Sequence, residues 1–279
     1  MFNLSGKVAL VTGGTRGIGK GISKILSKNG AIVYFTGRTE VDFNGKVKLE
    51  GSLSSTETII RNEGGICYAI KCDHENDTET KYVIDQIIQK HKKIDILVNN
   101  VWGGYEYFND GTEFWNEKEF FTMPLSRFDK MFNSGVRAHY TTSVYTAKYM
   151  AEQNNGSIFN ISFWAAQRNN MGVAYGMAKA ATNKMTETMA YELEKYNISV
   201  LTIYPGLVRT ESVLKSAEYF DLTNSESPEF IGCSIAALAN DKNVLRKSGT
   251  IQIAAQVAID YGFKDIDGKQ PIPLTVDKA

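Results

Sequence analysis

The chain has 279 residues, with 31 lysines and arginines set against 31 aspartates and glutamates. A net charge of zero gives no long-range field to draw nucleic acid or an anionic membrane, so anion recognition has to be local. Cys67, Cys72 and Cys233 form no CxxC pair and lie apart from His74, His91 and His139 in sequence. That speaks for reduced thiols and against a zinc site or a disulfide framework.

The start "MFNLSGK" runs straight into an apolar run, with no basic-then-apolar leader. The expectation is an intracellular, cytoplasmic protein, with association with the endoplasmic reticulum as the alternative. No apolar run is long enough to span a membrane, and peripheral contact stays open. "KVALVTG" predicts the first strand. It passes into "GTRGIGKG", where Gly13, Gly17 and Gly19 suit a tight turn into a helix. A helix N-terminus offers unpaired N–H groups and a positive dipole end to phosphate. The helix "GIGKGISKILSKNG" ends on Gly30, a candidate C-cap.

"AIVYFTG" is the second strand, followed by Arg38, and "ICYAIKC" the third, followed by Asp73. "NDTETKYVIDQIIQKH" then places Val83, Ile84, Ile87 and Ile88 on one helical face. The fourth strand, "IDILVNN", ends on Asn99 and Asn100. A further helix lies around Arg127 to Tyr149. "SIFNISF" is the fifth strand, with Ser162 near its carboxyl end. The helix "AYGMAKAATNKMTETMAYELEKY" carries Tyr175 and Lys179 four residues apart on one face, and a stripe of Met177, Ala181, Met185 and Met189. "SVLTIYP" and "GTIQIAA" complete the strands.

Apolar runs alternating with helical segments predict one doubly wound α/β domain over 1–279, a seven-stranded, mostly parallel Rossmann sheet with helices on both faces. Three segments exceed the minimal rhythm, at about 39–55, 102–124 and 209–230. All three follow the carboxyl ends of strands, the ligand side of such sheets. The second is rich in aromatics: Trp102, Tyr105, Tyr107, Phe108, Phe114, Trp115, Phe120 and Phe121. It reads either as the wall of an apolar pocket or as a subdomain core or subunit contact.

The loop "TGGTRGIG" resembles the cofactor loop of the short-chain dehydrogenase/reductase superfamily. Ser162, Tyr175 and Lys179 match the superfamily's catalytic residues in the same order. The resemblance runs from about Gly6 to Ala255. It implies cofactor contacts from Gly13, Thr15, Arg16, Gly17, Ile18 and Gly19, and from Tyr175 and Lys179. It also implies contacts from Asp73 at the adenine, Asn99, and Pro205, Gly206, Val208 and Thr210 of "YPGLVRTES". Asp73 could instead cap the next helix.

The second strand lacks the acid that binds the adenosine ribose of NAD. Arg38 and Arg16 suit a 2′-phosphate, so NADP(H) is the expected cofactor, the alternative being two solvated surface arginines. Tyr175 is the expected general acid, Lys179 its electrostatic partner and Ser162 a donor to the substrate oxygen. The superfamily's fourth catalytic residue, an asparagine, falls by spacing on Gly135; Asn133, Ser134 or water are the candidates for its role. "NNVWGG", "AHYTTSVY" and "YGFKDIDGK" resemble the family member 1 branch, which looks like NADPH-dependent carbonyl and steroid reductases. That implies reduction of a bulky ketone, quinone or steroid, in a homodimer or homotetramer with 209–230 as a lid. A binding-only regulator, or a lyase or epimerase on the same fold, are the competing readings.

Overall fold

A computed structural model describes residues 2–44, 49–104 and 119–278. The seven apolar runs form β1 (Val8–Val11), β2 (Ile32–Gly37), β3 (Ile66–Lys71), β4 (Ile96–Asn99), β5 (Gly156–Ile161), β6 (Ile198–Tyr204) and β7 (Ile251–Ile253). They make one sheet in the order β3-β2-β1-β4-β5-β6-β7. Every strand pairing is parallel. Parallel neighbours need crossover connections, and these lay helices on both faces.

The helices are α1 (Gly17–Lys28), α2 (Leu53–Asn62), α3 (Asp77–His91), α4 (Leu125–Met131), α5 (Ala138–Glu152), α6 (Val173–Leu193), α7 (Glu211–Lys215), α8 (Pro228–Asn240) and α9 (Ala254–Tyr261). A single turn of π-helix, Phe132–Arg137, joins α4 to α5. Alternation along β1 divides the core in two. Ala9 and Val11 face α1, α8 and α9 through Ile22, Leu26, Phe230 and Ile235. Val8 and Leu10 face α3 and α6 through Val83, Ile84, Ile87 and Ala190. This is why the strands read as continuous apolar runs.

Two helix details differ from the sequence reading. Asn29 is the C-cap of α1, and Gly30 lies one residue beyond at φ +95°, where its N–H donates to the Ser27 carbonyl. On α6 the buried face is Tyr175, Ala178, Lys179, Thr182, Thr186 and Ala190. The methionine stripe runs beside that face, and Met177 is exposed. Small and hydroxylated side chains let α6 lie close to the sheet, so they, not the methionines, mark its inner side.

The chain order reverses about β1, which has β2 on one side and β4 on the other. In open sheets of this kind ligands bind at such a reversal, in the crevice outside the carboxyl ends of the strands. The glycine loop leaves β1 and the Trp102 segment leaves β4, so both stand at that place. Helix α1 is held against α8 by the absence of side chains at their crossing. A Cβ on Gly21 would meet the Pro228 carbonyl carbon at 2.2 Å, and one on Gly232 would meet the Ile25 Cβ at 2.7 Å. Gly21→Ala therefore has to push α8 off α1. We expect a loss of about 1–3 kcal/mol, read as a lower urea midpoint at unchanged m value. A wild-type midpoint would show that the crossing tolerates a methyl group.

Candidate active site

The cradle at the start of α1 is built by close backbone approach. A Cβ on Gly19 would lie 2.2 Å from the Gly13 carbonyl oxygen, and Gly17 sits at φ +53°. Asn100 clamps the loop from β4, its side-chain amide donating to the Thr12 and Gly13 carbonyls at 2.9 and 3.0 Å. The N-cap residue Arg16 makes no side-chain cap, so the first N–H groups of α1 face outward. The Gly17 N–H donates to the Glu211 carboxylate at 2.8 Å. A carboxylate oxygen here is an anionic acceptor of the kind a diphosphate offers, so the donor set fits one. Thr15 is buried under α2, where its carbonyl accepts from the Thr56 hydroxyl at 3.1 Å. Ile18 packs against the core on the far side of the turn.

Both arginines stand beside this cradle. The Arg16 guanidinium donates to the Gly51 carbonyl at 2.8 Å and lies 3.4 Å from the Thr39 hydroxyl. Burial lowers its proton affinity, Glu211 and Asp42 oppose that, and Arg38 is near enough to repel it. Arg38 reaches Asp73 at 3.8 Å. Arg38 and Asp73, two of the expected adenosine contacts, are thus neighbours. Asp73 does not cap α3. Its carboxylate accepts from the Glu75 N–H at 3.1 Å, while Asn76 is the N-cap, accepting from Thr78 and Glu79.

Ser162, at the end of β5, and Tyr175 and Lys179, on the first turns of α6, come together as their spacing predicts. All three are buried, Lys179 at 7% exposure. The Ser162 hydroxyl donates to the Lys179 carbonyl at 3.1 Å, tying strand end to helix. The Lys179 ammonium lies 5.7 Å from the centre of the Tyr175 ring and makes a long, 3.5 Å contact to the Ile161 carbonyl. Burial pushes the ammonium down to about 7.

Neither Asn133 nor Ser134 takes up the place of the missing asparagine. Asn133 is exposed. Ser134 is buried but turned to Glu75, donating to its carboxylate at 2.5 Å, while Lys130 reaches the same carboxylate at 2.8 Å. The space over Gly135 holds the indole of Trp102: a Cβ at Gly135 would meet that ring at 2.4 Å. Sequence reading missed this partnership. The signal was a bulky aromatic after the asparagine pair, together with a glycine at the asparagine position.

At the end of β6 the Gly206 N–H donates to Glu226 at 2.8 Å, and Val208 bridges to Glu226 in parallel fashion. Burial pushes the Glu226 carboxyl up to about 8, with Asp265 pushing the same way. Thr210 caps α7 through a 3.4 Å contact to the Val213 N–H, and its methyl group lies against Gly17. Thr210 thus reaches the cradle from the β6 side, while Gly206 and Val208 are tied to Glu226. Arg209 fixes this loop by binding Asp265 at 3.0 Å and the Ser225 carbonyl at 2.7 Å.

Asn99 lies inside the sheet rather than on the rim of the cradle. Its side chain is fully buried, and its amide donates to Ser143 and Asn160, each at 2.8 Å. Asn160 donates onward to Thr186, and Thr202 donates to the same hydroxyl, each at 2.8 Å. Asn99, Asn160 and Thr202 are register partners on β4, β5 and β6. The amide thus joins the sheet to α5 and α6. Of the aromatic insertion, Tyr105, Tyr107, Phe108, Phe114 and Trp115 lie outside the described residues; Phe120 and Phe121 are exposed. Among the described residues no helix is long and apolar enough to cross a membrane.

Comparison with known proteins agrees with this architecture. The short chain dehydrogenase family model matches residues 7–219. Dehydrogenase/reductase SDR family member 1 of Mus musculus is 35% identical, covering 95% of this chain and 85% of that protein. Its Homo sapiens counterpart is 32% identical over the same shares. A solved 7α-hydroxysteroid dehydrogenase, complexed with NADH and 7-oxo glycochenodeoxycholic acid, superposes with a TM-score of 0.73 at 28% identity, covering 90% of this chain and 93% of that one. With its glycine cradle, its Ser162, Tyr175 and Lys179 cluster and these relatives, the chain belongs to the short-chain dehydrogenase/reductase family of nicotinamide-dependent oxidoreductases.

Proposed function

We propose that the protein is an NADP(H)-dependent reductase that converts a bulky, apolar carbonyl compound to an alcohol. The observation that carries this reading is the pairing of two features along one crevice. Ser162, Tyr175 and Lys179 converge at its chemical end, and Arg16 and Arg38 flank the glycine cradle at the other. The 7α-hydroxysteroid dehydrogenase relative was solved with NADH. Two guanidiniums where an NAD site carries an acid are what turn the preference toward a 2′-phosphate here.

When bound, the nicotinamide supplies the hydride for the carbonyl carbon. Tyr175 would supply the proton for the carbonyl oxygen, so that C=O becomes CH–OH, and the tyrosinate left behind would regain its proton from solvent. A free phenol titrates near ~10, and a neighbouring ammonium favours the tyrosinate. Lys179 is the cation on the same helix face. Its ammonium also provides donors for the hydroxyls of a ribose. The Ser162 hydroxyl turns its proton from the Lys179 carbonyl to the substrate oxygen and stabilises the charge that develops there. Exclusion of water by the buried Tyr175 ring and the partly buried Trp102 ring strengthens each of these interactions.

The substrate class rests on the aromatic segment after β4 and on the steroid enzymes among the relatives. Exposed apolar side chains on α5 and α6, including Tyr140, Val144, Met177 and Tyr191, support self-association into a dimer or tetramer.

Three measurements test the reading. Replacing Arg16 and Arg38 with alanine should raise the Kd for NADPH at least tenfold and leave that for NADH nearly unchanged; equal losses would refute the 2′-phosphate assignment. Tyr175→Phe should abolish NADPH oxidation against a panel of ketones and quinones, followed at 340 nm, while NADPH still binds. Undiminished turnover would remove Tyr175 from the mechanism.

The third concerns pH. Folded Lys179 releases its proton near 7 and an unfolded lysine near 10.5. Between those values the unfolded chain holds more protons, so stability rises with pH. Below pH 7 the buried charge costs at most on the order of 5 kcal/mol. Lys179→Met should therefore stabilise the cofactor-free protein most at pH 6, and the gain should shrink toward pH 10. A gain that does not vary with pH would mean that Lys179 is not held in a desolvated place.

A further inference from the structure

Lys179 has to be charged to act on Tyr175, yet burial alone displaces it toward the neutral amine. The groups that face it come from four elements. Tyr175 lies on its own helix, and Ser162 and the Ile161 carbonyl end β5. His139 faces it from α5; burial, and then Lys179 itself, hold that imidazole down to about 3, so it is neutral. The fourth is Trp102, after β4, whose ring centre is 4.1 Å from the Lys179 ammonium. Among the described residues no carboxylate enters the balance.

We propose that Trp102 is the positioning residue for Lys179, its indole face holding the ammonium in the charged state and against Tyr175. The same indole meets the Tyr175 ring at 5.4 Å between centres and 65° between planes, so one side chain orients both groups. The aromatic face is negative and attracts a cation most strongly when water is excluded. The indole lies close against the main chain on two sides, at glycines that leave room for it. A Cβ at Gly135 would strike its six-membered ring at 2.4 Å, and one at Gly104 would strike its Nε1 edge at 2.7 Å.

The main chain on either side is fastened too. The Val101 N–H donates to the Thr12 hydroxyl at 3.1 Å, and His139 Nε2 donates to the Val101 carbonyl at 2.9 Å. The Gly104 carbonyl accepts from the buried Arg127 at 3.1 Å. A ring so fixed serves as a built counter-surface for the ammonium. Gly135 is the complementary half of the device, because any side chain there displaces the ring.

The proposal takes the role of Lys179 from the reductase reading, but its test does not depend on turnover. Tryptophan at 102 alone is replaced by its mono-, di- and tetrafluoro analogues, which nearly keep the shape while weakening the negative face. The Lys179 titration is read in the cofactor-free full chain from the ε-13C resonance of labelled lysine, assigned by its loss in Lys179→Met. The pKa should fall stepwise by about one unit across the series. A flat series would overturn the proposal, even in an active enzyme. A sloping series in a protein without turnover would sustain it and count against the reductase reading instead. Gly135→Ala supplies an independent variant. It should lower the Lys179 pKa by itself and change nothing further in a Trp102→Leu background. Additive shifts in that pair would also overturn the proposal.

Discussion

An ammonium group loses most of its hydration when it is buried, and the loss must be met by oriented partners. Lys179 sets this demand at the centre of the molecule, and much of the local architecture answers it. Helix α6 has to bring Lys179 to the end of β5, where the Ile161 carbonyl meets its ammonium and the Ser162 hydroxyl donates to its main-chain carbonyl. The segment after β4 has to bring an aromatic face over the ammonium. A π-helical turn between α4 and α5 has to leave Gly135 beneath that face. Each requirement falls on a different stretch of chain, so the site forms only when the whole sheet has formed.

The polar ladder beneath α6 bears on the same problem. A parallel sheet with an apolar helix on top could slide, because nonpolar packing is nondirectional. Asn99, Asn160, Thr202 and Thr186 close a chain of buried hydrogen bonds among β4, β5, β6 and α6. A slip of register would break these bonds and leave buried donors without acceptors. The ladder therefore holds α6 at the offset from β5 that brings Tyr175 and Lys179 beside Ser162.

Much of this could be read before the structure was seen, for identifiable reasons. Strands buried on both faces write themselves as continuous apolar runs, and all seven were legible. The glycine loop and the Tyr175–Lys179 pair are local in sequence, so spacing alone placed them. Arg16 and Arg38 were legible as charges at known points of that frame. What escaped was nonlocal. Trp102 and Gly135 are tied by a steric exclusion that no periodicity encodes. Asn99 carries a second, structural partnership with Asn160 that only strand register reveals. On α6 hydrophobicity pointed to the methionines, whereas close approach to the sheet selects threonine and alanine. The aromatic insertion was legible only as composition.

The Asp265 carboxylate gives the loop over the site two fixed moorings. It accepts from the Ser227 N–H at 2.8 Å and from the Ser227 hydroxyl, and it binds Arg209 at 3.0 Å. The stretch between Arg209 and Ser227, with α7 in its middle, is therefore a span anchored at both banks. A span held this way moves as an arch that buckles, bounded in amplitude by its own contour length, and not as a hinged arm that swings. Gly206 and Val208, at its foot, stay tied to Glu226.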